Sequence, residues 1–285
     1  MNKLPRVPLR LSATAWLASV CAAACLALAP LPASAQGKLE AHYEASLAGI
    51  AVGKGTWGIE ISDDYYSASA QGATAGLLKA FSGGTGSGSA QGRIVNGALV
   101  PQNYVATMSS KKSETIKINL ANGNVRDFSI DPEPPVDPDR VVVTAEHKKG
   151  VVDPMTSSLV RVSGNGELLG PDACRGGSSV FDGRLRYDLK LEFKRMETVK
   201  ADKGYHGPAV VCAIYFTPVA GYIPDRPVIK YLATERRMEI VLVPIAGTRV
   251  LVPFRLSIPT PFGKAVLEAT QFNTVAIPPR LAKTQ

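Results

Sequence analysis

Apolar and polar side chains alternate one for one along much of this chain, and a period of two is the signature of a strand with one dry and one wet face. In "GTWGIEI" Trp57, Ile59 and Ile61 share a face, in "TIKINL" Ile116, Ile118 and Leu120 do, and in "RVLVPFRLSI" the row is Val250, Val252, Phe254, Leu256 and Ile258. The longest run is "SVFDGRLRYDLKLEF", where Phe181, Leu185, Tyr187, Leu189, Leu191 and Phe193 share one parity and Asp182, Arg184, Arg186, Asp188, Lys190 and Glu192 the other. It predicts a single long strand that bends at Gly183, its charges forming the wet side of a wall rather than a catalytic row. Turn signals such as "SDD", "NGA", "ANGN" and "AGT" separate such runs.

Helical spacing is scarce. In "DPMTSSLVRV" Asp153 can cap, Pro154 suits a first turn, and Met155, Leu159 and Val162 recur at helical intervals. A second short candidate is "TAGLLKAF", with Leu77, Leu78 and Phe81 on one side. The Gly/Ser-rich "SGGTGSGSAQG" (82–92) reads as a flexible loop, and the proline-rich, acidic "DPEPPVDPDR" (131–140) as a long surface loop. A mainly β chain of this kind must hide its sheet edges and bury its dry face. The expected architecture is an antiparallel, strongly curved sheet forming an open or spiral barrel, with a β-sandwich as the alternative, and one or two short helices.

The N-terminus reads as a Sec-type signal peptide. Lys3, Arg6 and Arg10 precede an uncharged Ala/Leu-rich run, Pro30 and Pro32 break it, and "ASA" ends at Ala35, so residues 1–35 are expected to be cleaved and 36–285 to form one periplasmic domain. Cleavage removes three basic residues and no acidic one, taking the formal charge from +8 to +5. That charge is modest and dispersed, which argues against nucleic acid as a partner. No later apolar run has membrane-spanning length, so the mature chain is not expected to span a bilayer. Cys174 and Cys212 remain after cleavage, and an even cysteine count in an exported chain points to a disulfide.

Catalytic constellations are hard to find. His42, His147 and His206 are isolated from one another and form no H-x-H or H-E-x-x-H pair, so no metal site is expected. "SSKK" (109–112) matches S-x-x-K by letter, without the S-D-N and K-T-G partners of that chemistry. The glycines of 83–92 lack the G-K-[ST] of a phosphate cradle, and carboxylate pairs such as Asp63 with Asp64 or Asp182 with Asp188 read as turn and strand residues. The chain is therefore expected to be non-enzymatic, with no catalytic residue and no cofactor.

Five segments occur in an order that resembles a known family: "YEASLAGIAVGKGTW" (43–57), "GALVPQNY" (97–104), "DPMTSSLV" (153–160), "VFDGRLRYDL" (180–189) and "VCAIYFTPVAGY" (211–222). Together they are similar to the exported bacterial domain of unknown function 3108. The resemblance implies a periplasmic β protein and carries over no catalytic residue. By fold analogy with periplasmic half-barrels that wrap an apolar ligand, the expected role is a cell-envelope protein binding an acyl chain or a lipidated partner. Trp57, Leu77, Leu78 and Phe81 are the candidate ligand or lid contacts. The alternatives are a scaffold protein with a filled core and, third, a hydrolase.

Overall fold

A computed structural model describes residues 36–76 and 83–278. Seven strands form its first half: β1 (Gly37–Leu47), β2 (Ile50–Ile61), β3 (Tyr65–Thr74), β4 (Thr85–Val95), β5 (Ala98–Ser109), β6 (Ser113–Ala121) and β7 (Asn124–Asp131). A one-turn helix, α1 (Pro154–Ser157), leads into the short β8 (Val160–Arg161). The second half holds β9 (Gly176–Phe181), β10 (Arg186–Lys200), β11 (Lys203–Gly204), β12 (His206–Ala220), helix α2 (Pro227–Thr234), β13 (Glu239–Pro244), β14 (Val250–Thr260) and β15 (Gly263–Ala276).

All fifteen strands belong to one sheet, whose main path runs β7-β6-β5-β4-β3-β2-β1-β15-β14-β13-β12-β10-β9. Neighbours on that path pair antiparallel, and the first and last strands do not pair with each other, so the sheet is open. It nevertheless curls until its ends meet. Ile116, Ile118 and Leu120 of β6 share one apolar cluster with Phe181 of β9, from the far end of the path. An extended strap laces the seam: the Val151 N–H donates to the Gly123 carbonyl at 2.7 Å, the Val152 N–H to Ser179 at 2.9 Å, and the Phe181 N–H to the Val152 carbonyl at 3.0 Å. The Arg184 guanidinium pairs with Glu114 across the same seam. Edge groups that would otherwise invite another strand are thereby used within the chain.

Two further clusters fix the curvature. Inside the barrel, Leu39, Ala41 and Tyr43 of β1 and Ile59 and Ile61 of β2 pack with Val211 of β12, Val241 and Val243 of β13, and Phe254 of β14. On the other face of the same strands, Val210, Cys212, Leu242 and Leu251 are covered by a segment that includes Val162, Ala173 and Cys174. Burial on both faces explains why "AVVCAI" and "IVLV" read as continuous apolar runs rather than alternating ones.

Cys174 and Cys212 form a disulfide that fastens this covering segment to the middle of β12. The linked residues are 38 apart, and in the chain-entropy model a closed loop of that size stabilises by about 4 kcal/mol. Urea denaturation should show reduced protein losing about 3–4 kcal/mol relative to oxidised protein. An unchanged midpoint would mean that the bridge adds nothing to the packing around it.

Three sequence readings are corrected. The run from Ser179 to Phe193 is two strands joined by a tight turn: the Asp182 carboxylate accepts from the backbone N–H groups of Arg184 and Leu185, at 2.8 and 2.6 Å. Gly183 has φ +96°, and a Cβ there would lie 2.7 Å from Ile116 Cγ2, so this position bends completely rather than slightly. Phe181 pairs with Arg186, and Val180 with Tyr187, so Phe181 faces away from Leu189 and Leu191. The expected single dry row is therefore two faces, serving two different clusters.

The Gly/Ser-rich stretch, expected to be a loop, supplies β4 in the middle of the first half-sheet. Gly86, Gly88 and Ala90 face inward opposite Gly72, Ala70 and Ala68, while Ser87, Ser89 and Gln91 face outward opposite Gln71, Ser69 and Ser67. Both faces carry small residues, so no apolar alternation betrays the strand. Gly92 is required by close packing: a Cβ there would sit 2.8 Å from the Tyr66 ring and 2.2 Å from the Val100 carbonyl. The "DPMTSSLVRV" helix stops after Ser157, and Val160 and Arg161 are already extended. Helix α2, with Pro227 in its first turn, was not anticipated.

Candidate functional site

The inward small residues of β3 and β4 leave a hollow. Ala70, Gly72, Gly86 and Gly88 contribute almost no side chain to the wall, and around them stand Trp57, Tyr104, Met108, Met155, Leu256 and Leu267. The resulting cavity is about 660 Å³ and is lined mostly by apolar atoms. Sites for small apolar ligands commonly span roughly 300–1,000 Å³. A Cβ on Gly88 would approach Met155 Cε to 3.1 Å, whereas on Gly72 and Gly86 it would meet nothing closer than 3.4 Å. The space beside β3 and β4 is thus set by backbone on one side and by α1 on the other.

Asp153 holds α1 in place. Its carboxylate is fully buried and accepts from the Met155 N–H at 2.9 Å, the Thr156 N–H at 2.8 Å and the Thr156 hydroxyl at 2.5 Å. Thr156 in turn shares a hydrogen bond with the Tyr66 hydroxyl at 2.8 Å, tying α1 to β3. Burial pushes the Asp153 carboxyl above its ordinary range, with the three hydrogen bonds acting in the opposite direction. The carboxyl of Asp182 is also raised by burial, against the two turn amides that bond it.

The polar atoms on the cavity wall are few. Tyr43 donates its hydroxyl to the Pro253 carbonyl at 2.6 Å, and its burial raises the phenol well above the usual range. Burial pushes the Tyr104 phenol up to about 12, aided by the negative charge of Asp153 and Asp182, so it stays neutral at ordinary pH. Trp57 packs on the barrel core and lines the cavity, and its indole N–H is buried with no hydrogen-bond partner among the described residues. A buried donor left unpaired costs about 1–3 kcal/mol, which the packing around the Trp57 ring has to offset.

Of the candidate contacts read from sequence, Trp57 lies on the cavity wall. Leu77, Leu78 and Phe81 fall outside the described residues, as do residues 1–35 with their signal-peptide features. The three histidines occupy separate places: His42 on the outward side of β1, His147 in a turn where its Nδ1 accepts from the Thr144 N–H at 3.1 Å, and His206 at the start of β12. Among the described residues no group of three His, Cys, Asp or Glu side chains could hold a metal ion. The "SSKK" match falls on the β5–β6 turn, where the Ser110 N–H donates to the Lys112 carbonyl, and not on a helix. Sequence reading missed the glycine-lined wall of β3 and β4 and the part played by Met155.

Fold and cavity together define an open, barrel-like antiparallel β protein with an apolar hollow in its wall. The chain belongs to the family described as "Protein of unknown function (DUF3108)", whose family model matches residues 42–270. No curated protein matches it. A crystal structure from Brucella abortus, described as a beta-barrel-like protein of domain of unknown function DUF1849, is similar at 8% identity and a TM-score of 0.44, over 84% of this chain and 97% of that one.

Proposed function

We propose that this protein is an exported, non-enzymatic envelope protein that binds an apolar ligand, an acyl chain or the lipid portion of a lipidated partner, in the hollow beside β3 and β4. The observation that carries the reading is the cavity itself, about 660 Å³ of mostly apolar wall whose space is kept by glycine and alanine. A scaffold protein would instead fill its interior with side chains. The Cys174–Cys212 disulfide is compatible with export, and among the described residues no helix is long and apolar enough to cross a membrane.

The chain has two tryptophans, Trp16 and Trp57. In a Trp16→Phe protein, Trp57 alone reports from the cavity wall. Titrating the delipidated protein with a conjugated polyene fatty acid should quench Trp57 emission saturably, with a Kd of about 1 μM or tighter for a buried chain of that size. Linear, non-saturating quenching would count against the reading.

A further inference from the structure

The strap that laces the seam leaves part of it open. It bonds the Gly123 carbonyl and the edge of β9, and among the described residues no hydrogen bond from outside the ladder with β6 reaches the backbone of residues 125–131. Arg126, Asp127, Phe128 and Ser129 of this edge strand are exposed. A bare row of backbone donors and acceptors is a template for another strand.

The start of the strap offers a second row. The Val141 N–H donates to the Tyr222 carbonyl at 2.9 Å, and its carbonyl accepts from the Gly221 N–H at 2.7 Å, so Val141 is bonded toward the end of β12. In extended backbone the next residue turns its groups the other way, and those of Val142 have no partner among the described residues. Between the two rows runs a groove of about 600 Å³. Phe128, Ser129 and Ile130 line it in succession, and so do Val141, Val142 and Val143. Successive residues point to opposite faces, so the groove follows two backbone edges and does not lie over one face of the sheet.

Apolar side chains gather around it. Ile130 and Val143 pack on the seam cluster, Val142 is 74% exposed, and Val136, in the loop after β7, is 95% exposed. Its charges give little preference: Arg140 is matched by Asp137 at 3.9 Å and Arg184 by Glu114, which leaves Glu133. Recognition therefore falls to backbone groups and apolar side chains. The edge of a second sheet, as in another copy of this chain, would bring its own neighbouring strand to where Val141–Val143 stand, so the two walls admit a single extended segment. A strand fills roughly 160 Å³ per residue, from about 4.8 Å between strands, 10 Å between sheets and 3.4 Å of rise, so the groove takes about four residues.

We infer that β7 accepts an extended peptide segment of a partner protein as an added strand, with alternate apolar side chains resting on Ile130 and Val143. The inference is independent of the apolar-ligand reading, since the groove and the hollow beside β3 and β4 share no lining residue.

Hydrogen–deuterium exchange with the peptide acetyl-Lys-Thr-Val-Thr-Val-Thr-Lys-amide tests it. Saturating peptide should slow exchange across residues 125–131 and 141–143 about tenfold or more. The same peptide N-methylated at its valines keeps its side chains but loses backbone donors, and should give no protection. Val142→Glu places a charge in the groove at a position exposed in the free protein, and should weaken peptide binding about tenfold with the thermal midpoint and the fatty-acid quenching of Trp57 unchanged. Absence of protection, equal protection by the methylated peptide, or undiminished binding by Val142→Glu overturns the inference. Protection of residues 125–131 in peptide-free protein that grows with protein concentration would put a second copy on this edge and overturn it as well.

Discussion

Gly86→Leu should lower affinity for the polyene fatty acid at least tenfold while leaving the fold intact. Gly86 faces inward on β4, and a Cβ there meets only the Thr107 carbonyl at 3.8 Å, so a larger side chain extends into the hollow without displacing backbone. Leucine also favours an extended conformation over glycine, and burying its side chain is worth roughly 2 kcal/mol, so the thermal midpoint should hold or rise. Ala70→Leu, on the neighbouring strand, should act in the same direction. Loss of binding together with retained or raised stability separates occupancy of the space from damage to the barrel. If Gly86→Leu binds as tightly as the parent, the ligand does not sit beside β4.

Asp153→Ala should be the most destabilising single substitution around the cavity, by about 3–5 kcal/mol. It removes the acceptor for two backbone N–H groups and one hydroxyl, and frees the turn that carries Met155 to the cavity wall. Asp153→Asn keeps one acceptor oxygen and should cost far less, about 1 kcal/mol. The pH dependence distinguishes the two roles of the carboxyl. Its folded pKa is raised by burial, so the folded state holds the proton more firmly than the unfolded state. Its contribution is fully present below the ordinary carboxylate pKa and is lost as pH rises through the raised folded value. Glu239 behaves oppositely: Arg195 and then Lys194 lower it to about 2, so its contribution is present above the ordinary glutamate value and lost as pH falls toward about 2. Urea midpoints measured across the mildly acidic range should therefore fall with rising pH more steeply for the parent than for Asp153→Asn. Parallel profiles would mean that Asp153 titrates alike in both states.

The strands with one dry face were legible because alternation follows directly from pleat geometry. Trp57, Ile59 and Ile61 face inward from β2 as their spacing predicts, and Ile116, Ile118 and Leu120 face inward from β6. The cysteine pairing followed from count and context. What stayed hidden was hidden for identifiable reasons. β4 carries glycine and serine on its two faces, so the strand that shapes the cavity has no hydrophobic signature of its own. The turn at Asp182 contains an even number of residues and joins two alternating strands, so alternation in sequence runs straight through a reversal in space. A cavity is made by side chains that are absent, and only the pairing of Ala70 with Gly88 and Gly72 with Gly86 shows where the missing volume accumulates.

The central claim is that the barrel holds an apolar ligand beside β3 and β4. The most direct measurement is native mass spectrometry of protein isolated without detergent from cells that express it, compared with the same protein carrying Gly86→Leu. The account predicts an added mass of lipid or fatty-acid size on the parent, released by organic solvent and missing from the variant. A parent that emerges as bare polypeptide, or a variant that retains the same adduct, would contradict it.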